Sequence, residues 1–140
     1  MVELLRVLDV NEPFIVEPCA QKARSDCWAA CLAMLTGRTY TDVVAAAPRQ
    51  WRSCRSGLGI REIVNAAKRL KVVLRYTATP PDDDDIGMLF IHKEDDPEAH
   101  VVMWLNGVIF DPSPGLLYTD AAAFLLTYGW QVQWFLWREE

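Results

Sequence analysis

The chain has 140 residues, 51% of them hydrophobic and 24% charged, with six tryptophans and a formal net charge of −5. That is the length of one domain with a single sizeable core, so residues 1–140 are read as one domain of a folded protein and not as a disordered chain. The acidic balance excludes a nucleic-acid partner of the usual kind, which needs a basic stripe. No run approaches the roughly 20 apolar residues of a membrane span.

The opening stretch MVELLRVLDVNEP carries Glu3, Arg6 and Asp9 inside its apolar run, unlike the h-region of a secretory signal. The expected location is the cytoplasm, or a host or target cell reached without a classical signal peptide. Residues 2–10 alternate loosely and predict an edge strand, and residues 12–18, with two prolines, an extended connection. Four cysteines, Cys19, Cys27, Cys31 and Cys54, come without a secretion signal, which favours thiols over a disulfide framework. No C-x-x-C occurs and the two histidines lie far downstream, so no metal and no cofactor is expected.

Residues 27–35 are apolar nearly all round, preceded by Ser25 and Asp26 as candidate N-caps and followed by Gly37, which predicts a buried helix starting at Cys27. Thr39 and Asp42 have capping-box-like spacing before VVAAA, and Pro48 ends that short helix. Residues 59–70 set Ile60, Ile63, Val64, Ala67 and Leu70 on one helical face. Arg49, Arg52 and Arg55 form the one close basic cluster, read as a solvated loop, and Arg55 to Leu58 as a segment that could edge a substrate cleft.

From Lys71 the period changes to that of strands: KVVLRYT, GMLFIH, AHVVMWLN, GVIFD and, after a helix at 120–128, WQVQWFLW. The second half should therefore be a mostly antiparallel sheet. Between the first two strands, TPPDDDDIG lacks the alternating ligands and turn glycine of a calcium loop and reads as a solvated turn.

Chemistry enters at Cys27. A thiol in the first turn of a helix lies where unpaired backbone N–H groups and the positive end of the dipole favour an anion, and hence a thiolate. Cys31, one turn on among Ala30, Leu32 and Ala33, should behave as a small buried hydrophobe. A thiolate nucleophile needs an imidazole partner, and only His92 and His100 exist.

Asn106-Gly107 between apolar runs signals a two-residue hairpin. With those residues at the turn, Leu105 faces Val108, Trp104 faces Ile109 and Val102 faces Asp111, which makes Asp111 the diagonal same-face neighbour of His100. A single histidine in a sheet is ordinarily a satisfied core residue; the carboxylate at that distance suggests an orienting role instead. His92, beside KEDDPE, is read as leaving or capping its strand. The backbone N–H of Cys27 is one natural oxyanion donor, and Gln21, five residues of loop away, can fold back to bring its side-chain amide as a second.

Gln21, then Cys27-Trp28-Ala29-Ala30 opening a helix, then His100 with Val101-Val102, and Asp111-Pro112 after a hairpin, together resemble the papain-like cysteine peptidase superfamily. Within it, the Q-x(5)-C opening, the ACLAML helix and the H-x-V…DP ending are similar to the compact double-glycine peptidase-like domains, the bacteriocin-processing type, while CWAA is similar to the avirulence-type effector peptidases. The double-glycine group has a glycine after its cysteine where this chain has Trp28. The resemblance covers residues 21–112. It implies an α+β fold, with N-terminal helices packed on one side of a C-terminal antiparallel, partly barrel-like sheet.

Carried over by position, it implies Cys27 as nucleophile, His100 as general base and acid, Asp111 as orienting residue and Gln21 as oxyanion donor. Trp28 would line the substrate cleft or pack beneath it. Met103, Trp104, Ile109 and Phe110 should be core residues on both faces of the hairpin. The activity expected is hydrolysis of peptide or isopeptide bonds in a protein or peptide substrate, in a free-standing bacterial or phage protein and not in an exporter. The same triad could instead serve an acyltransferase or transglutaminase-like transfer, or survive in a recognition module without catalysis. Nothing in the residues selects an oligomeric state.

Overall fold

A computed structural model describes residues 5–8, 13–16, 27–47, 59–112 and 115–139 of the chain. Ser25, Asp26, Pro48 and residues 49–58, with Arg49, Arg52 and Arg55, lie outside the described residues, as do Cys19 and Cys54.

Helix α1 (Cys27–Thr36) has no polar side, and every residue from Trp28 to Thr36 is buried. A helix without a polar face is stable in water only when other elements surround it. The one hydroxyl in that run is satisfied locally, Thr36 Oγ1 donating to the Leu32 carbonyl at 2.7 Å. Helix α2 (Tyr40–Ala46) starts at the expected cap, where the Thr39 hydroxyl accepts from the Asp42 backbone N–H at 3.1 Å. Helix α3 (Ile60–Arg69) is amphipathic. Its Ile63 and Ala67 are fully buried, and Ile60, Val64 and Leu70 pack against the same core, as their 3.6-residue spacing requires.

Strands β1 (Leu5–Leu8) and β2 (Pro13–Val16) form a separate two-stranded antiparallel sheet among the described residues, Leu5 opposite Val16 and Leu8 opposite Pro13. The stretch read as an extended connection is thus the partner strand of the first. Its proline stands at the first position of β2, where a missing N–H is tolerated.

The main sheet is formed by β3 (Leu74–Thr77), β4 (Ile86–Lys93), β5 (Asp96–Leu105), β6 (Val108–Asp111), β7 (Leu116–Tyr118) and β8 (Gln131–Arg138), with α4 (Ala121–Tyr128) before the last strand. All pairings are antiparallel and the order is β3-β8-β4-β5-β6-β7. The architecture is α+β, helices first and sheet after, and the sheet is open. Its edge strands, four and three residues long, pair with their inner neighbours and not with each other. The partly barrel-like closure expected from the sequence is thereby corrected to an open sheet, because edges this short offer few groups through which to close it.

Alternation divides the sheet residues between two cores. Met88, Phe90, Val101, Met103, Leu105, Phe110 and Leu136 face α1, α2 and α3. Leu89, Ile91, Val102, Trp104, Ile109 and Phe135 face the other way, toward Ala121 and Phe124 of α4. The expected helices on one side are joined by one on the opposite side, so both faces are covered. The four hairpin residues expected in the core are all buried, two on each face.

Candidate active site

Three elements meet at His100. The first is the β5–β6 hairpin. Asn106 and Gly107 both have positive φ, 52° and 82°, the geometry of a two-residue type I′ turn whose twist matches that of the strands. The observed register is Leu105 opposite Val108, Trp104 opposite Ile109 and Met103 opposite Phe110. Continued one step past Met103 and Phe110, this register sets Asp111 across from Val102, and His100, two residues before Val102 on the same face, lies diagonally across from Asp111. There His100 Nε2 and Asp111 Oδ1 are 2.7 Å apart, the short separation of a charge-assisted hydrogen bond. Both side chains are largely shielded, 21% and 10% exposed.

The second element is α1, which begins at Cys27. Its half-buried thiol lies near enough to the His100 ring to favour the charged imidazolium. With Nε2 engaged by Asp111, the ring nitrogen left for sulfur is Nδ1. Burial by itself pushes the imidazolium toward deprotonation. The hydrogen bond to Asp111 and the nearby Cys27 thiol, together with their negative charge, outweigh it and raise the His100 pKa to about 9.

Cys31, one turn into α1 and fully buried, donates its Sγ–H to the Val101 carbonyl at 3.5 Å. The helix that carries Cys27 is thus tied to the strand residue next to His100.

The third element is the end of α4. Gly129 takes the left-handed conformation at φ 71° and ψ 28°. Its N–H bonds to the Leu126 carbonyl and the Trp130 N–H to the Leu125 carbonyl at 2.9 Å, the paired bonds of a Schellman motif. That motif brings the residue after the glycine back against the last turn, and Leu125 and Trp130 both pack on the α4-side core. The indole of Trp130 stacks on the His100 ring, centroids 5.7 Å apart and planes inclined by 29°. The ammonium of Lys93, the last residue of β4, lies 4.8 Å from the same indole.

The chain shares its fold with a peptidase domain. The peptidase domain of Streptococcus ComA, a bifunctional ABC transporter involved in a quorum-sensing pathway, superposes with a TM-score of 0.59 over 86% of this chain and 95% of that one, at 17% sequence identity. No protein-family model and no curated protein sequence matches the chain.

Of the residues expected at the site, Cys27, His100 and Asp111 come together. Gln21 lies outside the described residues. Trp28 is 1% exposed and sits in the core with the rest of α1. A large apolar side chain on a helix surrounded on all sides has no route to the surface. His92 is the penultimate residue of β4, opposite Gln131. Among the described residues no group of three or more His, Cys, Asp or Glu side chains is placed to hold a metal ion, and no helix is long and apolar enough to cross a membrane.

Sequence reasoning missed Trp130. The glycine after an apolar helix marks the cap. The contact itself depends on β8 lying beside β4, a pairing that no local pattern announces.

Proposed function

We propose that the chain is a cysteine-dependent hydrolase of peptide or isopeptide bonds, with Cys27 as nucleophile, His100 as general base and acid, Asp111 as the residue that orients the ring, and Gln21 as an oxyanion donor. The observation that carries this reading is the 2.7 Å contact between Asp111 Oδ1 and His100 Nε2, with the Cys27 thiol acting on the same ring. Its occurrence in a fold shared with a peptidase domain supports it further.

In the proposed reaction the Cys27 sulfur, as thiolate beside the His100 imidazolium, attacks the carbonyl carbon of the scissile bond. The oxygen takes up negative charge, met by the backbone N–H of Cys27 at the start of α1 and by the Gln21 amide. The C–N bond breaks as His100 gives its proton to the leaving amine, leaving a thioester on Cys27. Water then attacks that thioester, His100 takes its proton, and the C–S bond breaks to release the carboxylic acid and return the thiolate–imidazolium pair. Asp111 holds the ring orientation throughout and stabilises its charged form.

The experiment is alkylation with iodoacetamide at mildly acidic pH, with the modified residue mapped by mass spectrometry. Preferential labelling of Cys27 that disappears in His100→Ala is the expected result. Equal labelling of Cys19 or Cys54, or an unlabelled Cys27, would overturn the proposal.

A further inference from the structure

We propose that Trp130 is a positioning residue for His100: its indole is the wall that holds the imidazole plane with one nitrogen on Asp111 and the other toward Cys27, and Lys93 bears on the ring through that same indole. This inference rests on the proposed use of His100 as base and acid.

A partner at each nitrogen leaves the ring free to rock about the line joining the two. Stacking removes that freedom, since tilting the ring would lift it from the indole surface. Here the stacked geometry is itself held in place, because Trp130 follows the left-handed Gly129 in a cap with two backbone hydrogen bonds and leads directly into β8, where Gln131 pairs with His92. The wall is therefore held from both sides, by the cap of α4 and by the first residue of β8. An indole also favours a cation at its face, so it stabilises the imidazolium over the neutral ring and covers one face from water.

The Lys93 ammonium acts in the opposite sense. When His100 is protonated the one indole serves two positive charges, 4.8 Å away on the lysine side and 5.7 Å between ring centres on the histidine side. Like charges sharing a π-system repel through it and compete for it. The groups acting on this ring among the described residues are Cys27 from α1, Asp111 from β6 and, through the indole, Lys93 from β4. The first two favour its charge and the third opposes it.

The test follows the two histidines of the full-length protein by NMR through a pH titration, with His100→Gln assigning the signals. Trp130→Leu should lower the His100 midpoint by about half a pH unit or more, from the usual strength of a cation–π contact. Trp130→Phe should restore most of that loss, because it keeps a ring face at the same cap. Lys93→Met should move the midpoint upward, by about a few tenths of a pH unit for a partly screened charge.

A parental midpoint in Trp130→Leu, or a lowered one in Lys93→Met, overturns the inference. Where Trp130→Leu does not fold, Trp130→Phe and Lys93→Met decide it: a parental midpoint in Lys93→Met then overturns it as well. Cys27→Ala separates this inference from the proposed function. A His100 midpoint indifferent to loss of Cys27 counts against the thiolate–imidazolium pair whatever Trp130 does. A normal response to Cys27→Ala with an unresponsive Trp130→Leu sinks only the role of Trp130.

Discussion

The Asp111 carboxylate oxygen lies 2.7 Å from Nε2 of His100, on a neighbouring strand whose register is set by a two-residue turn four positions before Asp111. The strands carrying both residues are hydrogen-bonded to each other. The contact is therefore a property of the hairpin and does not require substrate to form it.

Asp111→Asn keeps the shape of that contact but removes its charge and lets the amide present a donor to the ring. The imidazolium loses its main support, and the ring can settle in the wrong tautomer. Turnover of a peptide substrate, once one is in hand, should fall by about 10²- to 10⁴-fold, with little change in thermal stability. A variant within threefold of the parent in kcat would remove Asp111 from the mechanism.

Stability should depend on pH through His100. Its folded-state pKa of about 9 lies above the ordinary value of 6.5, so the charged ring stabilises the fold. That contribution is fully present below pH 6.5 and is lost as pH rises through 9. Its size is on the order of a few kcal/mol at most for a shielded but not sealed group. Urea unfolding between pH 6 and pH 10 should show the decline, and His100→Gln should flatten it; parallel curves for the two proteins would contradict the assignment.

Cys31 should matter for packing and not for chemistry. Cys31→Ala opens a small void in a fully buried position and removes the Sγ–H bond to Val101, at a cost of about 1–2 kcal/mol. Cys31→Ser keeps a donor for that carbonyl in place of the apolar sulfur. Both proteins should retain selective alkylation of Cys27, measured as the fraction labelled at limiting reagent. Loss of that selectivity in a folded Cys31→Ser would show that the two thiols act together.

Gly107→Val challenges the register itself. At φ 82° a β-branched residue is strained, and its Cβ would also crowd the Asp83 carboxylate at 3.3 Å. A destabilisation of about 1–2 kcal/mol is expected, with a His100 signal that titrates closer to its ordinary range as the Asp111 contact loosens. If the variant unfolds at the parental denaturant concentration, the turn does not govern the hairpin.

Much of this fold is local in origin. Helix α1 could be recognised because nine successive residues without a polar face can only be buried, and α2 because Thr39 and Asp42 carry their own cap. Other elements were not legible. Strand β7 has three residues, too few to display a period, and β2 begins with a proline that disguises a strand as a connection. The covering of both sheet faces was equally hidden, because α4 is apolar all round and its sequence does not say which face of the sheet it covers.

At the site the same division holds. Asn106-Gly107 determined by itself that Asp111 would lie diagonal to His100, because a two-residue turn leaves a strand pair only one register and alternation then assigns each side chain a face. Only the tertiary structure decided that α1 brings Cys27 to that ring, that Trp28 goes down into the core, and that Trp130 closes on the imidazole with Lys93 at its indole. Those contacts join residues 30 to 73 positions apart. They follow from the strand order and from the packing of helices on the two faces, which are set by how the whole apolar surface is best buried and not by the spacing of residues along any one segment.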